Sequence, residues 1–150
     1  MTELFLGDLH VGDRFESGVY DVTEQDIVDF AKDFDPQPFH LDLDAAKRSV
    51  FQGLAASGWH TAAMSMRLFV TGSLRLAGGS VGLGVDELQW PRPVRPGDTL
   101  SGTSTVLDVK PSRSRPDRGM IVFRHELTNQ RGETVMTLDN PVLFGREATP

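Results

Sequence analysis

The sequence predicts an α+β fold in which one long apolar helix lies across the concave face of a mostly antiparallel sheet. Three observations point there. Trp59, Ala62, Ala63, Met66, Phe69 and Val70 recur at helical spacing. Downstream of that run the hydrophobic period changes to alternation, cut by turn signals at Gly78-Gly79, Pro96-Gly97, Pro111 to Gly119 and Gln130-Arg131-Gly132. The later strands are joined by connections short enough for hairpins, which makes neighbours antiparallel. A chain of 150 residues fits a single domain, 1–150, with a sizeable core. A lone apolar helix preceding a sheet has the sheet's inner face to bury itself against.

Taken in order, Leu9 to Tyr20 carries a turn signal at Gly12-Asp13 and reads as an edge strand. Thr23 followed by Glu24, Gln25 and Asp26 is an N-cap with acids in the first turn, so a helix starts there. Ile27, Phe30, Ala31 and Phe34 give that helix one buried face, and Pro36 ends it, leaving Asp35 just past its end. Asp42 to Arg48 is compatible with a short helix, and Ser49 to Gly53 reads as a flap carrying Val50 and Phe51. The long helix opens at Ala56-Ser57-Gly58, where free backbone N–H groups and a positive dipole end collect; Ser57 is its expected N-cap and Gly72 its C-cap. Val81, Leu83 and Val85 alternate before the phase shifts to Leu88 and Trp90, which predicts a bulge near Asp86-Glu87. Strands over Thr99 to Lys110, Met120 to Asn129 and Thr134 to Leu143 complete the sheet.

Composition narrows the function. The chain is 39% apolar and 24% charged, ordinary for a soluble globular protein, and no apolar run approaches the ~20 residues that span a bilayer. Met1-Thr2-Glu3 leads into nothing resembling a secretory signal, so a cytoplasmic protein without a membrane partner is the expectation. A net charge of −6 argues against nucleic acid as the partner. It leaves room for an anionic small ligand, because Lys110, Arg113, Arg115 and Arg118 lie close together in one loop, although a solvated hairpin tip explains them more simply. Cysteine is absent and His10, His40, His60 and His125 lack the paired spacing of metal ligands, so no metal is expected. The glycines from Gly78 to Gly84 lead into a strand rather than a helix, which removes a phosphate-cradling loop. Ser57 lacks the Gly-x-Ser-x-Gly setting of an activated nucleophile, and His60 and His125 read as core histidines.

The chemistry concentrates in Phe34 to Asp44, Phe-Asp-Pro-Gln-Pro-Phe-His-Leu-Asp-Leu-Asp. Pro36 and Pro38 fix their own φ angles and push Asp35 and Gln37 towards extended backbone, so a stiff, non-helical loop is expected. Asp35 and His40 can then converge on one water or hydroxyl as an acid/base pair. A site bounded by Phe34, Phe39 and the long helix is expected to raise the Asp35 pKa above the ordinary carboxylate value of ~4. The N–H groups at Ser57-Gly58-Trp59 would hold an oxyanion if they face the same site. The plain alternative is a proline-rich turn with solvated charges.

The run Asp35-Pro36-Gln37-Pro38-Phe39-His40-Leu41-Asp42, with Ala46 after it, closely resembles the Asp-x-Asn-Pro-x-His-x-Asp motif of the MaoC-like dehydratases and (R)-specific enoyl-CoA hydratases. Ser57-Gly58-Trp59 with its apolar helix, and Pro93-Val94-Arg95-Pro96-Gly97-Asp98, resemble that family's later landmarks, so the likeness covers nearly the whole chain. The resemblance implies a hotdog fold, a homodimer or an oligomer of dimers, and an acyl-CoA thioester substrate, with coenzyme A present only as part of that substrate and no separate cofactor. By position, Asp35 and His40 match the pair that activates water for addition across a trans-2-enoyl double bond. The Gly58 backbone N–H matches the donor that polarises the thioester carbonyl, with Ser57 and Gln37 as further substrate-binding candidates. Gln37 stands where the family has Asn, Phe34 replaces a small residue and Leu43 replaces Pro or an acid, departures that bear on positioning and acyl specificity. Two alternatives remain open at this point. One is a hotdog acyl-CoA thioesterase, against which the lack of Asp or Glu from Gly58 to Thr71 counts; the other is a non-catalytic acyl-thioester-binding domain.

Overall fold

Thr23 starts the first helix as its position predicts. Its backbone is extended and its hydroxyl accepts from the Asp26 N–H at 3.1 Å, satisfying one of the donors a helix leaves free at its start. In the computed structural model, which describes residues 3–145, a short 3-10 turn at Leu6–Asp8 is followed by β1 (Arg14–Asp21), α1 (Glu24–Phe34), α2 (Pro38–Leu41), α3 (Leu43–Lys47), α4 (Gly58–Thr71), β2 (Val81–Gly82), β3 (Asp86–Gln89), β4 (Thr99–Pro111), β5 (Arg118–Thr128) and β6 (Thr134–Gly145). Ile27 and Ala31 of α1 are fully buried as expected, whereas Phe34, on the final turn, is 72% exposed with its ring 5.0 Å from that of Phe30.

The strands form one antiparallel sheet in the order β1-β4-β5-β6, with β2 and β3 both pairing β6. β1 is the edge strand the sequence predicts. The bulge expected near Asp86-Glu87 is present as a register shift between Asp86 and Gln89, with Glu87 at φ 55°. The alternation read over Val81 to Val85 yields only two ladder-paired residues, Val81 and Gly82; beyond them the Leu83 N–H still reaches the Pro141 carbonyl at 2.8 Å and the Asn140 side chain donates to the Gly84 carbonyl at 2.8 Å.

The long helix packs on the inner face of the sheet, the hotdog arrangement. Met64 and Leu68 join Leu100, Leu127, Val135 and Met136 in one buried cluster, and Phe69 meets Phe123 of β5 at 5.2 Å between ring centroids in a second. The buried stripe of α4 is not the predicted one. It consists of His60, Thr61, Met64, Ser65, Leu68 and Phe69, while Trp59, Met66 and Val70 face outwards at 61%, 46% and 50% exposure. The C-cap Gly72 is extended rather than left-handed. Glycine is required there by a close approach, since a Cβ would stand 2.7 Å from the Leu68 carbonyl oxygen.

His125 is the core histidine the alternation of β5 predicts. It is 4% exposed, lies against the ring of Phe69 at 4.5 Å, and shares a 2.8 Å hydrogen bond between Nδ1 and the Ser104 hydroxyl. Burial pushes its pKa down to about 4, opposed by the Asn140 amide and the charge of Asp139. His60 is buried too, its ring stacked on Phe30 at 4.6 Å, and desolvation lowers its pKa against the pull of Asp26.

Candidate active site

Asp35 is the C-cap of α1, with φ −154° and ψ 66°, a conformation that swings the chain out of the helix while its N–H still bonds the Ala31 carbonyl at 2.9 Å. Gln37 is extended, as the following proline demands. The segment does not stay extended. From Pro38 the backbone enters the one-turn helix α2, because proline at a first helical position has the right φ and lacks only an N–H that would have no partner there. This corrects the expectation of a wholly non-helical loop, and its consequence is geometric: the turn carries His40 back so that its Nε2 lies 3.3 Å from Asp35 Oδ2.

The His40 side chain is 5% exposed and that of Asp35 19%. Phe39 packs edge-on against the imidazole at 4.6 Å and Phe51 at 6.1 Å. His40 Nδ1 lies 2.5 Å from the carbonyl oxygen of Ala55. A carbonyl only accepts, so Nδ1 carries a proton; Nε2 facing Asp35 is an acceptor when the ring is neutral and a donor when it is protonated.

The Asp35 pKa is shifted down, contrary to the expected rise. Desolvation is the largest single influence and does push it up. The Gln37 amide and the Ser57 hydroxyl, with the imidazolium of His40 whenever that ring is protonated, together outweigh it by favouring the carboxylate. Gln37 Nε2 donates to Asp35 Oδ1 at 2.5 Å. Asp35 is therefore an ionised acceptor at neutral pH, with one oxygen held by Gln37 and the other turned to His40.

Ser57 is the N-cap residue of α4 by backbone position, yet its side chain does not cap the helix, which corrects that reading. Its Oγ is fully buried and, among the described residues, makes no well-formed hydrogen bond, while standing near enough to Asp35 to help hold that carboxyl down. Thr61 N–H bonds the Ser57 carbonyl, so the N–H groups of Gly58, Trp59 and His60 are those without an intrahelical partner. Glycine at 58 is dictated by a neighbour: a Cβ there would lie 2.6 Å from ring atoms of Trp90. Trp90 in turn meets Trp59 edge-on at 5.4 Å.

His40, Gln37 and Gly58 line one cleft of about 480 Å³, which brings the predicted acid/base stretch and the predicted helix start together. Its remaining walls are largely apolar, from Phe39, Phe51, Ala56, Trp90, Pro93 and Val94. Arg92 supplies a cation to the cleft and pairs with Glu133 at 3.4 Å. Arg113, Arg115 and Arg118 lie elsewhere. They belong to the β4–β5 turn, at the opposite end of the strands from Thr134, where Arg92 is anchored, and Arg118 is engaged with Asp117 at 3.2 Å. Among the described residues no group of three or more His, Asp or Glu is arranged to hold a metal ion, and no helix is long and apolar enough to cross a membrane.

Sequence reasoning missed two parts of this site. The Ala55 carbonyl that orients His40 belongs to an unremarkable apolar run, and no residue pattern announces it. Arg95 was legible only as part of a landmark: its guanidinium donates to the carbonyls of Phe51 at 2.5 Å, Gly53 at 2.8 Å and Leu54 at 3.2 Å.

Comparison with known proteins shows the family and the fold. The family described as MaoC like domain matches residues 10–122. The crystal structure of the MaoC-like dehydratase from Rhodospirillum rubrum is 53% identical, with a TM-score of 0.92 over 97% of this chain and 99% of that one. The R-hydratase PhaJ1 from Pseudomonas aeruginosa, in its unliganded form, is 27% identical with a TM-score of 0.78, covering 97% and 88% of the two chains. YdeM of Bacillus subtilis, an uncharacterized protein, is 30% identical over 141 residues, 94% of this chain and 99% of its own length.

Proposed function

The chain belongs to the MaoC-like domain family, and on that premise we propose that it is a hydro-lyase that reversibly adds water to a trans-2-enoyl thioester, giving the 3-hydroxyacyl thioester. The observation that carries the reading is the approach of Asp35 Oδ2 to His40 Nε2, 3.3 Å apart, with His40 and Gly58, the first residue of α4, both lining one cleft and Asp35 standing just behind His40. Two acceptors turned towards each other call for a shared donor, and a water molecule has two O–H bonds to give. Held that way while the imidazole is neutral, it keeps a lone pair free to attack.

In the proposed reaction the water oxygen bonds to C3 of the enoyl group as the C2–C3 π pair moves towards C1. Negative charge collects on the thioester oxygen as an enolate, where the Gly58 N–H and the α4 dipole stabilise it. The proton released by the water passes to the Asp35–His40 pair and is delivered to C2 as the enolate collapses. Hydroxyl and proton both end on the substrate, so no cofactor is consumed and coenzyme A enters only as the thiol portion of an acyl-CoA. Gln37 acts on the substrate indirectly, by holding Asp35 Oδ1 so that Oδ2 faces His40.

A homodimer forms part of the proposal. Val81, Leu83 and Val85 are 61%, 54% and 51% exposed along the segment outside β6, and Trp59, Met66 and Val70 form an outward apolar stripe on α4. Exposed apolar surface beside an open sheet edge is the kind of surface a second copy covers. Sedimentation of the purified chain tests this, and a monomer at micromolar concentration removes it.

The test of the activity is loss of the conjugated enoyl chromophore on adding protein to crotonyl-CoA and longer enoyl-CoA thioesters. Release of free thiol without hydration replaces the reading with a thioesterase. Thermal stabilisation by acyl-CoA with no product replaces it with a binding domain.

A further inference from the structure

The imidazole of His40 can serve as an acceptor towards Asp35 only while its Nδ1–H is held by the Ala55 carbonyl. Ala55 is at the end of the flap Phe51–Leu54, a stretch with no helix or strand to fix it and with Gln52 at φ 57°. Arg95 holds the carbonyls of this flap, while Ala55 N–H donates to the Phe39 carbonyl at 3.3 Å and Ala56 N–H to that of Val94, the residue before Arg95, at 2.9 Å. Arg95 Nη2 donates to the Phe51 carbonyl and its Nη1 to those of Gly53 and Leu54, three acceptors met by one planar fork. The fit is close, since a Cβ on Gly53 would stand 3.2 Å from Arg95 Nη1. Arg95 is itself fixed from behind. Its N–H donates to Asp98 Oδ2 at 2.8 Å, and Asp98, 4% exposed, accepts from Gln130 Nε2 through Oδ1 at 3.0 Å.

We propose that Arg95 is a positioning residue for the acid/base pair: through the flap it presents the Ala55 carbonyl to His40 Nδ1 and so selects the imidazole tautomer whose Nε2 faces Asp35 as an acceptor. Without the fork, the carbonyls of Phe51, Gly53 and Leu54 lose their partner and turn to water, and the Ala55 carbonyl is left to the Phe39 and Val94 bonds alone, which hold its peptide from one side and allow it to tilt away from His40. The imidazole then gains the other tautomer, in which Nε2–H donates straight to the Asp35 carboxylate. That internal bond occupies both acceptors at once and leaves no place for a water held between them. Lysine cannot substitute, because one ammonium cannot meet three carbonyls spread over four residues in the plane of a fork.

The value of this role for turnover rests on the hydratase reading; the tautomer does not. The experiment is therefore twofold, on the full chain with wild type, Arg95→Lys and Arg95→Ala. Nitrogen-15 correlation spectra of the histidine rings, with His40 assigned by its loss in His40→Gln, report the tautomer directly. Enoyl-CoA hydration is measured on the same samples, with and without added guanidinium. We expect wild-type His40 wholly protonated on Nδ1, and a substantial Nε2–H population in Arg95→Lys, the variant that keeps charge and stem and guards against a failure of Arg95→Ala to fold. With it, kcat should fall by about 10-fold to 100-fold, within the range general acid–base catalysis supplies, KM should change less, and guanidinium should restore part of the rate in Arg95→Ala. Folded variants whose His40 stays wholly on Nδ1 overturn the proposal whatever their rates. A changed tautomer in a protein whose wild type hydrates nothing leaves Arg95 in its role and refutes the hydratase reading instead.

Discussion

Acid should unfold this protein through His125 before it titrates most of the carboxylates. The folded-state pKa, about 4, lies below the ordinary imidazole value of 6.5. A depressed histidine pKa means that the unfolded chain binds the proton first. Stability is therefore fully present above 6.5 and is lost as the pH falls towards 4, the unfolded state holding more protons throughout that window. At about 1.4 kcal/mol for each tenfold change in proton affinity, the drop from 6.5 to about 4 is worth roughly 3 kcal/mol. That is a large share of the ~5–15 kcal/mol that holds a domain together. His60 is shifted the same way by desolvation, so the wild-type curve alone cannot isolate His125. The assay is urea denaturation at stepped pH for wild type and His125→Gln, a substitution that retains hydrogen-bonding capacity beside Ser104 and does not titrate. The stability advantage of wild type over the variant should shrink by about 3 kcal/mol between pH 6.5 and 4. Parallel curves would refute the reasoning, because they mean that His125 takes up its proton equally in both states.

Asp35→Asn and His40→Ala should each lower hydration at least 100-fold while leaving the thermal transition near its wild-type position, since each removes one acceptor of the pair. Rates near wild type in both variants would take the pair out of the mechanism. Gln37→Leu removes the donor that favours ionised Asp35, so the acid limb of the kcat/KM profile should move to higher pH; an unmoved limb means the Gln37 amide does not set that carboxyl. Gly58→Ala places a methyl where the Trp90 ring lies, an overpacking of about 1–3 kcal/mol that a 40%-exposed tryptophan relieves by swinging outwards. The chain has two tryptophans, both in this contact, so emission should shift to the red as activity falls, and unchanged emission with full activity would show the methyl is accommodated elsewhere.

The long helix, the strand pattern and the bulge at Asp86-Glu87 were readable because each is a local periodicity or its interruption. The facing of α4 was not. Apolar residues surround that helix on nearly every side, and spacing alone cannot tell that Met66 looks outwards while Thr61 and Ser65 are buried. Asp35 and His40 could be named from the loop because two prolines advertise a rigid polar segment. Their electrostatics could not, since the direction of the Asp35 shift is decided by donors at hydrogen-bond distance rather than by the aromatic residues around it. The Ala55 carbonyl and the Arg95 fork are contacts of backbone atoms across distant segments, and side-chain identity records neither.

The bond between His40 and Ala55 joins residues 15 apart, so the proposed acid/base pair and its orienting carbonyl all come from one short length of chain between β1 and the remaining strands. The far wall of the cleft, Trp90 to Val94, is supplied by a separate connection between β3 and β4. On the proposed reading, reaction and selectivity are thus written in different parts of the polypeptide. The wall opposite the pair can be recut, residue by residue, to admit longer or branched acyl groups while the water-activating module is inherited unchanged.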